Sequence, residues 1–295
     1  VVQSATPVLY PVILRMAQSP ALLEKIEFTE VKVWEETEKH LGWIAQGKAD
    51  ISFSAVMAVA KLLGKENRSL KFAYVAVWDN FHRLTRREKT SSFADLRGQT
   101  IYMPLVKNSP PAKVIEYLMR ATGEDPANFN FVFGIPGDPF GRPEEIARKL
   151  IAGEIETALL REPEASYALA GSDEVRAAAA YSDVWRSLHP ASRGLPNAGV
   201  VFKGEFVSQH PQLARLFLDE LQKAIDWVVA NPDEAAQLSY ETMGRTYGEV
   251  RRFLGRVRFE YVPACDAQDE IQDYLKMLEP SGKLRIAPES CELGF

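Results

Sequence analysis

Apolar and polar positions along this chain switch repeatedly between two periods. LKFAYVAVW (70–78) is nine residues of almost continuous apolar and β-branched character, closed by the polar break Asp79-Asn80, and predicts a buried strand. HPQLARLFLDELQKAIDWVVANPDEAAQL places Leu213, Leu216, Phe217, Leu221, Ile225 and Val228 at helical spacing, and Asn231-Pro232 then breaks or restarts the helix. Earlier, IEFTEVKVW (26–34) reads as a strand, TEKHLGWIAQGK (37–48) as a helix, and ADISFS (49–54) as a short strand entering a helix from about Ala55. Beyond the loop around Lys89 to Asp95 the alternation resumes: strand QTIYMPLV, helix PPAKVIEYLMRATG, strand FNFVFG, helix RPEEIARKLIAG, strand IETALL, then a helix from Pro163. Strands alternating with helices predict parallel sheets with helices on their faces, an α/β fold.

One internal echo stands out. EETEKHLGWIAQGKADISFS and RPEEIARKLIAGEIETALLREP are each an amphipathic helix stopped near a glycine, Gly47 or Gly153, followed by a short strand and a polar loop. This suggests two related halves, although any two αβ units of an α/β protein share part of the pattern. A length of 295 residues also favours two domains over a single core.

Composition then narrows the partners. With 46% hydrophobic and 25% charged residues the chain matches a soluble globular protein. A net charge of -5, with basic residues scattered among the acids, supplies no basic face for phosphates, so nucleic acid is not expected as a partner. No apolar run approaches bilayer length, and VVQSATP reads as the interior of a strand, so the expectation is that a signal segment preceded it. Cys265 and Cys291 fit either one disulfide of an oxidising compartment or two buried thiols; their spacing is not that of a metal site.

In open parallel sheets, ligands bind beyond the carboxyl ends of strands, where helix N-termini present free N–H groups. After QTIYMPLV comes Lys107-Asn108-Ser109-Pro110-Pro111, with Ser109 as N-cap and Pro110 as the first helical residue. The Asn108 and Ser109 groups suit an anion, or Ser109 only caps its helix. After IETALL comes Arg161-Glu162-Pro163: Glu162 suits a ligand N–H and Arg161 a carboxylate or sulfonate, or the two form a surface ion pair. Earlier loops combine hydroxyls with aromatic walls at Thr6, Trp34-Glu35, Ser52, Ser54 and Trp78, a mixture that suits a small, partly polar ligand, though strand-end tryptophans are also ordinary core. Gly137 in the turn-rich GIPGDP loop, and Asn197, complete the candidate positions.

Catalytic signatures are missing from the sequence. His40, His82, His189 and His210 are scattered without ligand spacing and read as surface or packing residues. There is no GxGxxG, Walker loop or GxSxG elbow, so no metal, cofactor or catalytic residue is assigned and the chain is not expected to be an enzyme.

Taken in order, QGKADISFSA, FADLRGQTIYMP, AGEIETALLREPEA and GVVFKGEFVSQHPQLARLFLDELQKAIDWVVANPDEAAQL resemble the periplasmic solute-binding proteins of nitrate, sulfonate and taurine ABC importers, a group related to thiamine-precursor binding proteins. The resemblance implies a two-lobed type II periplasmic-binding fold, with two crossing strands near Phe81 to Arg87 and Gly199 to Phe206 as a hinge. It implies lobes of residues 1–84 with 203–295, and of 85–202, which close around a small-molecule ligand. A membrane permease is the implied partner, a monomer the implied state, and the periplasm or cell exterior the implied location, with a lipoprotein anchor as one mode of attachment. Thr6, Trp34, Ser54, Ser109 and Glu162 fall at the family's ligand loops. Glu156 stands where an aspartate is common, and the tryptophan that nitrate binders often show after Glu-Pro is missing, which argues against a nitrate-like ligand.

The expectation is therefore a binding protein for a small organic anion, sulfonate- or carboxylate-like. Glu35, Glu162 and the tryptophans keep a nitrogen-rich ring as the alternative, in a thiamine-pyrimidine-precursor binder or a biosynthetic enzyme on the same fold. A ligand-sensing domain of a receptor is the third reading.

Overall fold

The computed structural model describes residues 2–4, 7–26, 42, 44, 46–65, 70–88, 92–134, 141–283, 285–286 and 291–293. In chain order the elements begin with β1 (Val2–Ser4), α1 (Tyr10–Met16), α2 (Pro20–Leu23), β2 (Ile51–Ala55), α3 (Val56–Lys65) and β3 (Leu70–Trp78). Next come β4 (Phe81–Thr85), β5 (Thr100–Met103), α4 (Pro110–Ala121), β6 (Asn130–Phe133), α5 (Pro143–Ile151), β7 (Thr157–Arg161), α6 (Glu164–Gly171), β8 (Arg176–Ala180) and α7 (Tyr181–Leu188). The last are β9 (Pro196–Lys203), α8 (Gly204–Gln209), α9 (Pro211–Ala230), α10 (Pro232–Ser239), α11 (Tyr247–Leu254), β10 (Arg258–Pro263) and α12 (Gln268–Leu278).

These elements form two compact units. The first comprises Val1–Trp78, Pro196–Tyr247 and Arg258–Phe295, and the second Asp79–Leu195 with Gly248–Val257. The FHRLT stretch, read in the sequence as a crossing, is strand β4 inside the second unit's sheet, and the stretch from Gly199 lies in β9 and α8 of the first unit. The chain passes from one unit to the other at Trp78/Asp79 and Leu195/Pro196, and again on either side of 248–257.

In the first unit the strand order is β1-β2-β9-β3-β10, with β1 parallel to β2 and the other pairs antiparallel. β9 runs between β2 and β3 so closely that a Cβ on Gly199 would lie 1.8 Å from the Tyr74 carbonyl oxygen, a contact that only glycine permits. α9 spans about 30 Å at 1.5 Å per residue. It buries Ala214, Phe217, Leu218, Leu221, Ala224, Ile225 and Val228, and leaves Leu213 and Leu216 half-buried at the edge of the stripe. Its Phe217 ring meets Phe53 of β2 at 6.1 Å and Phe202 of β9 at 6.0 Å, which ties the helix to the sheet.

The second unit's sheet runs β6-β5-β7-β4-β8. β7, TALLR, is buried along nearly its whole length, as expected for the central strand of a sheet covered on both faces. Ala158 and Leu160 of β7 and Leu84 of β4 pack on one face against Ile146, Ala147 and Leu150 of α5 and Ala165 and Ala168 of α6. β5 ends at Met103, short of the QTIYMPLV stretch read as strand, because Pro104 has no N–H to donate and Leu105 adopts φ 64°. All but Ile26 of the strand read over 26–34, and most of the helix read over 37–48, lie outside the described residues.

Candidate functional site

The connections of the second unit's sheet select one of its edges. β5 is parallel to β6 and β7, and β4 is antiparallel to both β7 and β8, so β5, β6, β7 and β8 share one direction. From β5 the chain leaves through α4 toward β6 at the sheet's edge, whereas from β7 it leaves the other way through α6 toward β8. The carboxyl ends of neighbouring strands β5 and β7 therefore flank a topological switch point, the usual place for a ligand in an open parallel sheet. Ser109 follows β5 and Glu162 follows β7.

The loop after β5 is held in a costly shape. Leu105 and Asn108 take φ values of 64° and 68°, a region that leucine in particular avoids. Two hydrogen bonds fix it: the Leu105 N–H donates to the Gly141 carbonyl at 2.7 Å, and the Gly134 N–H donates to the Leu105 carbonyl at 2.8 Å. Gly134 and Gly141 approach so closely that a Cβ on Gly141 would lie 2.3 Å from the Gly134 Cα. Strain of this kind persists only where the surroundings over-determine it, and it concentrates at binding sites.

This loop delivers Ser109 to the N-terminus of α4. The Ser109 carbonyl accepts the Lys113 N–H at 3.0 Å, but its hydroxyl caps nothing and, only 7% exposed, has no hydrogen-bond partner among the described residues. Pro110 and Pro111 contribute no N–H, so Ala112 is the first residue of the helix with one to offer.

At the end of β7, Glu162 is 1% exposed and precedes a cis bond to Pro163. Arg256 Nε donates to its Oε1 at 2.8 Å, the Ser166 N–H donates to its Oε2 at 3.0 Å, and its own N–H donates to Asn80 Oδ1 at 3.0 Å. Glu162 thus takes up a first-turn N–H of α6 from the position before its N-cap, which is Pro163 and not Glu162 as the sequence reading placed it, and the helix begins one residue later. His82 Nε2 lies 3.5 Å from Oε1, longer than a hydrogen bond. Burial, then the Arg256 charge, lowers the His82 pKa to about 3, so the ring is neutral; burial also raises the Glu162 carboxyl, which Arg256 and Ser166 draw back down. The surface ion pair considered for Arg161 and Glu162 does not form: Arg161 Nε instead faces Glu164 Oε2 at 3.4 Å. Glu164 is buried, and burial raises its pKa to about 7 despite Arg161.

In the first unit, Ser52 and Ser54 occupy alternate, deeply buried positions of β2, opposite Val201 and Gly199 of β9. Trp78 ends β3 fully buried, with the Arg258 guanidinium 5.5 Å from its ring centroid, and Asn197 is half-buried on β9. Asn108 is exposed beside Ser109. Thr6, Trp34, Glu35 and Gly137 lie outside the described residues. The surface hollow on α9 lined by Pro211, Gln212, Arg215, Leu216 and Asp219 contains none of the candidates.

Sequence reasoning missed Asn80, Ser166 and Arg256. His82 and His189, read as surface or packing residues, both pack: His82 is buried with Nε2 3.5 Å from Glu162 Oε1, and His189 stacks on Trp185 with ring centroids 4.0 Å apart. The one available signal was Asn80 and His82 following directly on a buried strand. Arg256 gave none, being 94 residues from its partner. Among the described residues no cluster of metal-ligating side chains occurs, and no helix is long and apolar enough to cross a membrane.

No protein-family model and no curated protein sequence matches the chain. Solved structures do. An ABC transporter protein from Parabacteroides distasonis superposes with a TM-score of 0.70 at 18% identity, covering 97% of this chain and 95% of that one. The periplasmic aliphatic sulphonate binding protein SsuA of Escherichia coli gives 0.70 at 15% identity, covering 95% and 92%. The periplasmic nitrate-binding protein NrtA of Synechocystis PCC 6803 gives 0.68 at 12% identity, covering 98% and 83%. The chain has the two-lobed α/β fold of these periplasmic binding proteins.

Proposed function

We propose that this chain is the extracytoplasmic substrate-binding component of an ABC importer, delivering its ligand to a membrane permease, and that the ligand is a small organic anion, sulfonate- or carboxylate-like. The observation that carries this reading is the Ser109 hydroxyl, buried and without a partner among the described residues, at the N-terminus of a twelve-residue helix next to the β5/β7 switch point. A buried hydroxyl with no acceptor or donor is costly unless a ligand supplies one, and the positive end of the helix dipole favours an anion. The fold supports the transport role, and one protein that shares it is named for binding aliphatic sulphonates.

The alternative, a nitrogen-rich ring held by Glu162, is less well supported. Both oxygens of that carboxylate already accept hydrogen bonds, one from Arg256 and one from Ser166, and its charge is matched by Arg256.

Calorimetric titration of the protein, first stripped of co-purified compounds by unfolding and refolding, tests the reading. Short alkanesulfonates or carboxylates should bind in the micromolar range or tighter, and the recovered ligand should be chemically unchanged. Binding of an aminopyrimidine with no response to either anion class would overturn the anion assignment, and conversion of the ligand would restore the enzyme reading.

A further inference from the structure

We infer that Cys265 and Cys291, not bridged in this structure, are the two halves of a disulfide that fastens the C-terminal segment to the first unit. They are the only cysteines of the chain and stand 26 positions apart (291 minus 265). Each thiol bears on the other's titration, and Cys291 Sγ lies 2.9 Å from Nε2 of Gln268, three residues along the chain from Cys265. The inference does not depend on what the chain binds.

The turn that carries Cys265, between β10 and α12, is rigid. The Ala264 N–H donates to the Ala73 carbonyl of β3 at 2.9 Å, the Asp266 and Ala267 N–H groups donate back to the Pro263 carbonyl at 3.0 and 3.1 Å, and Ala264 and Ala267 are fully buried. Cys265 itself is exposed, so an oxidant can reach it. Cys291 is buried and its Sγ accepts from Gln268 Nε2 at 2.9 Å. One turn further along α12, Gln272 Nε2 donates to the carbonyl of buried Ile286 at 2.7 Å. Two glutamines at i and i+4 on one helix face thus hold the terminal segment at two points and bring the buried sulfur to the accessible one.

The step balances with an external disulfide as oxidant. The Cys265 thiolate attacks one of its sulfurs, forming a mixed disulfide and expelling a thiolate. The Cys291 thiolate then attacks the Cys265 sulfur, forming the Cys265–Cys291 bond and expelling the second thiolate. The two cysteine protons pass to solvent or to the leaving thiolates, and the oxidant is reduced by two electrons. Burial pushes both thiols upward, Cys291 to about 12; Asp266 and Glu292 add to this where they face a thiol, and Lys71 on β3 opposes it. The reaction therefore runs slowly at neutral pH without a thiol–disulfide oxidoreductase and faster in mild alkali.

The test uses the full chain incubated with oxidised glutathione at mildly alkaline pH, then denatured and treated with a maleimide. The expected product is monomeric, lighter by two hydrogens, unlabelled, and yields a peptide in which Cys265 is joined to Cys291. Its melting temperature should exceed that of the reduced chain by several degrees, since the bond closes a long loop, and Cys265→Ala should melt equally with and without oxidant. Two maleimide-reactive thiols after oxidation, glutathione retained on Cys265 with Cys291 still reactive, or a disulfide-linked dimer would each overturn the inference.

Discussion

Asp79 and Leu195, 116 residues apart, hold each other through both backbone and side chain: the Asp79 N–H donates to the Leu195 carbonyl at 2.9 Å, and the Leu195 N–H donates to Asp79 Oδ1 at 2.8 Å. Arg186 pairs with the other carboxylate oxygen. Asp79 is the first residue of the second unit and Leu195 the last before the chain returns to the first, so two connections are joined at one point. Asp79 does this at φ 59°, a conformation that aspartate and asparagine tolerate better than most residues.

Asp79→Asn keeps an acceptor and the backbone tolerance and loses only the charge facing Arg186. Asp79→Ala also strands the buried Leu195 N–H and puts a residue of poor tolerance at positive φ. We expect urea unfolding to show a loss of about 2–3 kcal/mol for alanine and about half that for asparagine. Equal losses would mean that the Arg186 pair, and not the link to Leu195, dominates.

Two buried groups set opposite pH dependences. Glu164 rises from 4.5 to about 7 on folding, so the stability it contributes is fully present below pH 4.5 and lost as pH climbs through 7; Glu162, also raised by burial, acts in the same direction. His82 falls from 6.5 to about 3, so its contribution is present above pH 6.5 and lost as pH drops through 3. Each full swing is on the order of a few kcal/mol. Relative to the wild type, Glu164→Gln should make stability rise more steeply with pH between 4.5 and 7, and His82→Gln should make it rise less steeply between 3 and 6.5. Urea midpoints measured from pH 4 to 7.5 read both slopes; parallel curves for the two variants would refute this assignment.

Gly141→Ala tests the clamp on the loop before Ser109. The added Cβ would lie 2.3 Å from the Gly134 Cα at a backbone φ of 100°, so the chain must shift just where it holds Leu105. A stability loss of about 2 kcal/mol or more in thermal melts is expected. Whatever ligand the wild type retains should bind less tightly, because the loop no longer fixes Ser109. Unchanged melting and binding would show that the glycine contact is dispensable.

The parts of this fold that were legible in the sequence are those set by local periodicity. β3 spans Leu70–Trp78, the residues read as its strand, and α9 follows its apolar stripe, because both are written in adjacent side chains. β8 was not read because RAAAA has no β-branched or aromatic residue, and only pairing with β4 makes it a strand. At the candidate site, Ser109 and Glu162 were found because they end strand–loop–helix units. Arg256 could not be found, because it reaches Glu162 only through the return of residues 248–257 to the second unit, a tertiary event with no local pattern.

Ser109 gives the sharpest test of the ligand's charge. Its hydroxyl makes no cap bond, so Ser109→Ala removes no bond to the described residues and should leave thermal stability nearly unchanged. Against an anionic ligand the same change should weaken binding by about 1.5–3 kcal/mol, the value of one hydrogen bond to a charged group. Ser109→Asp adds a negative charge beside the Ala112 N–H, at the positive end of α4. Aspartate caps a helix at least as well as serine, so melting should hold steady or rise. Its carboxylate would occupy and repel the anion's place, and titration should show affinity falling well beyond the alanine variant. A Ser109→Asp protein that melts normally and binds the ligand as tightly as the wild type would exclude an anion at this helix and return the case to Glu162 and a nitrogen-rich ring.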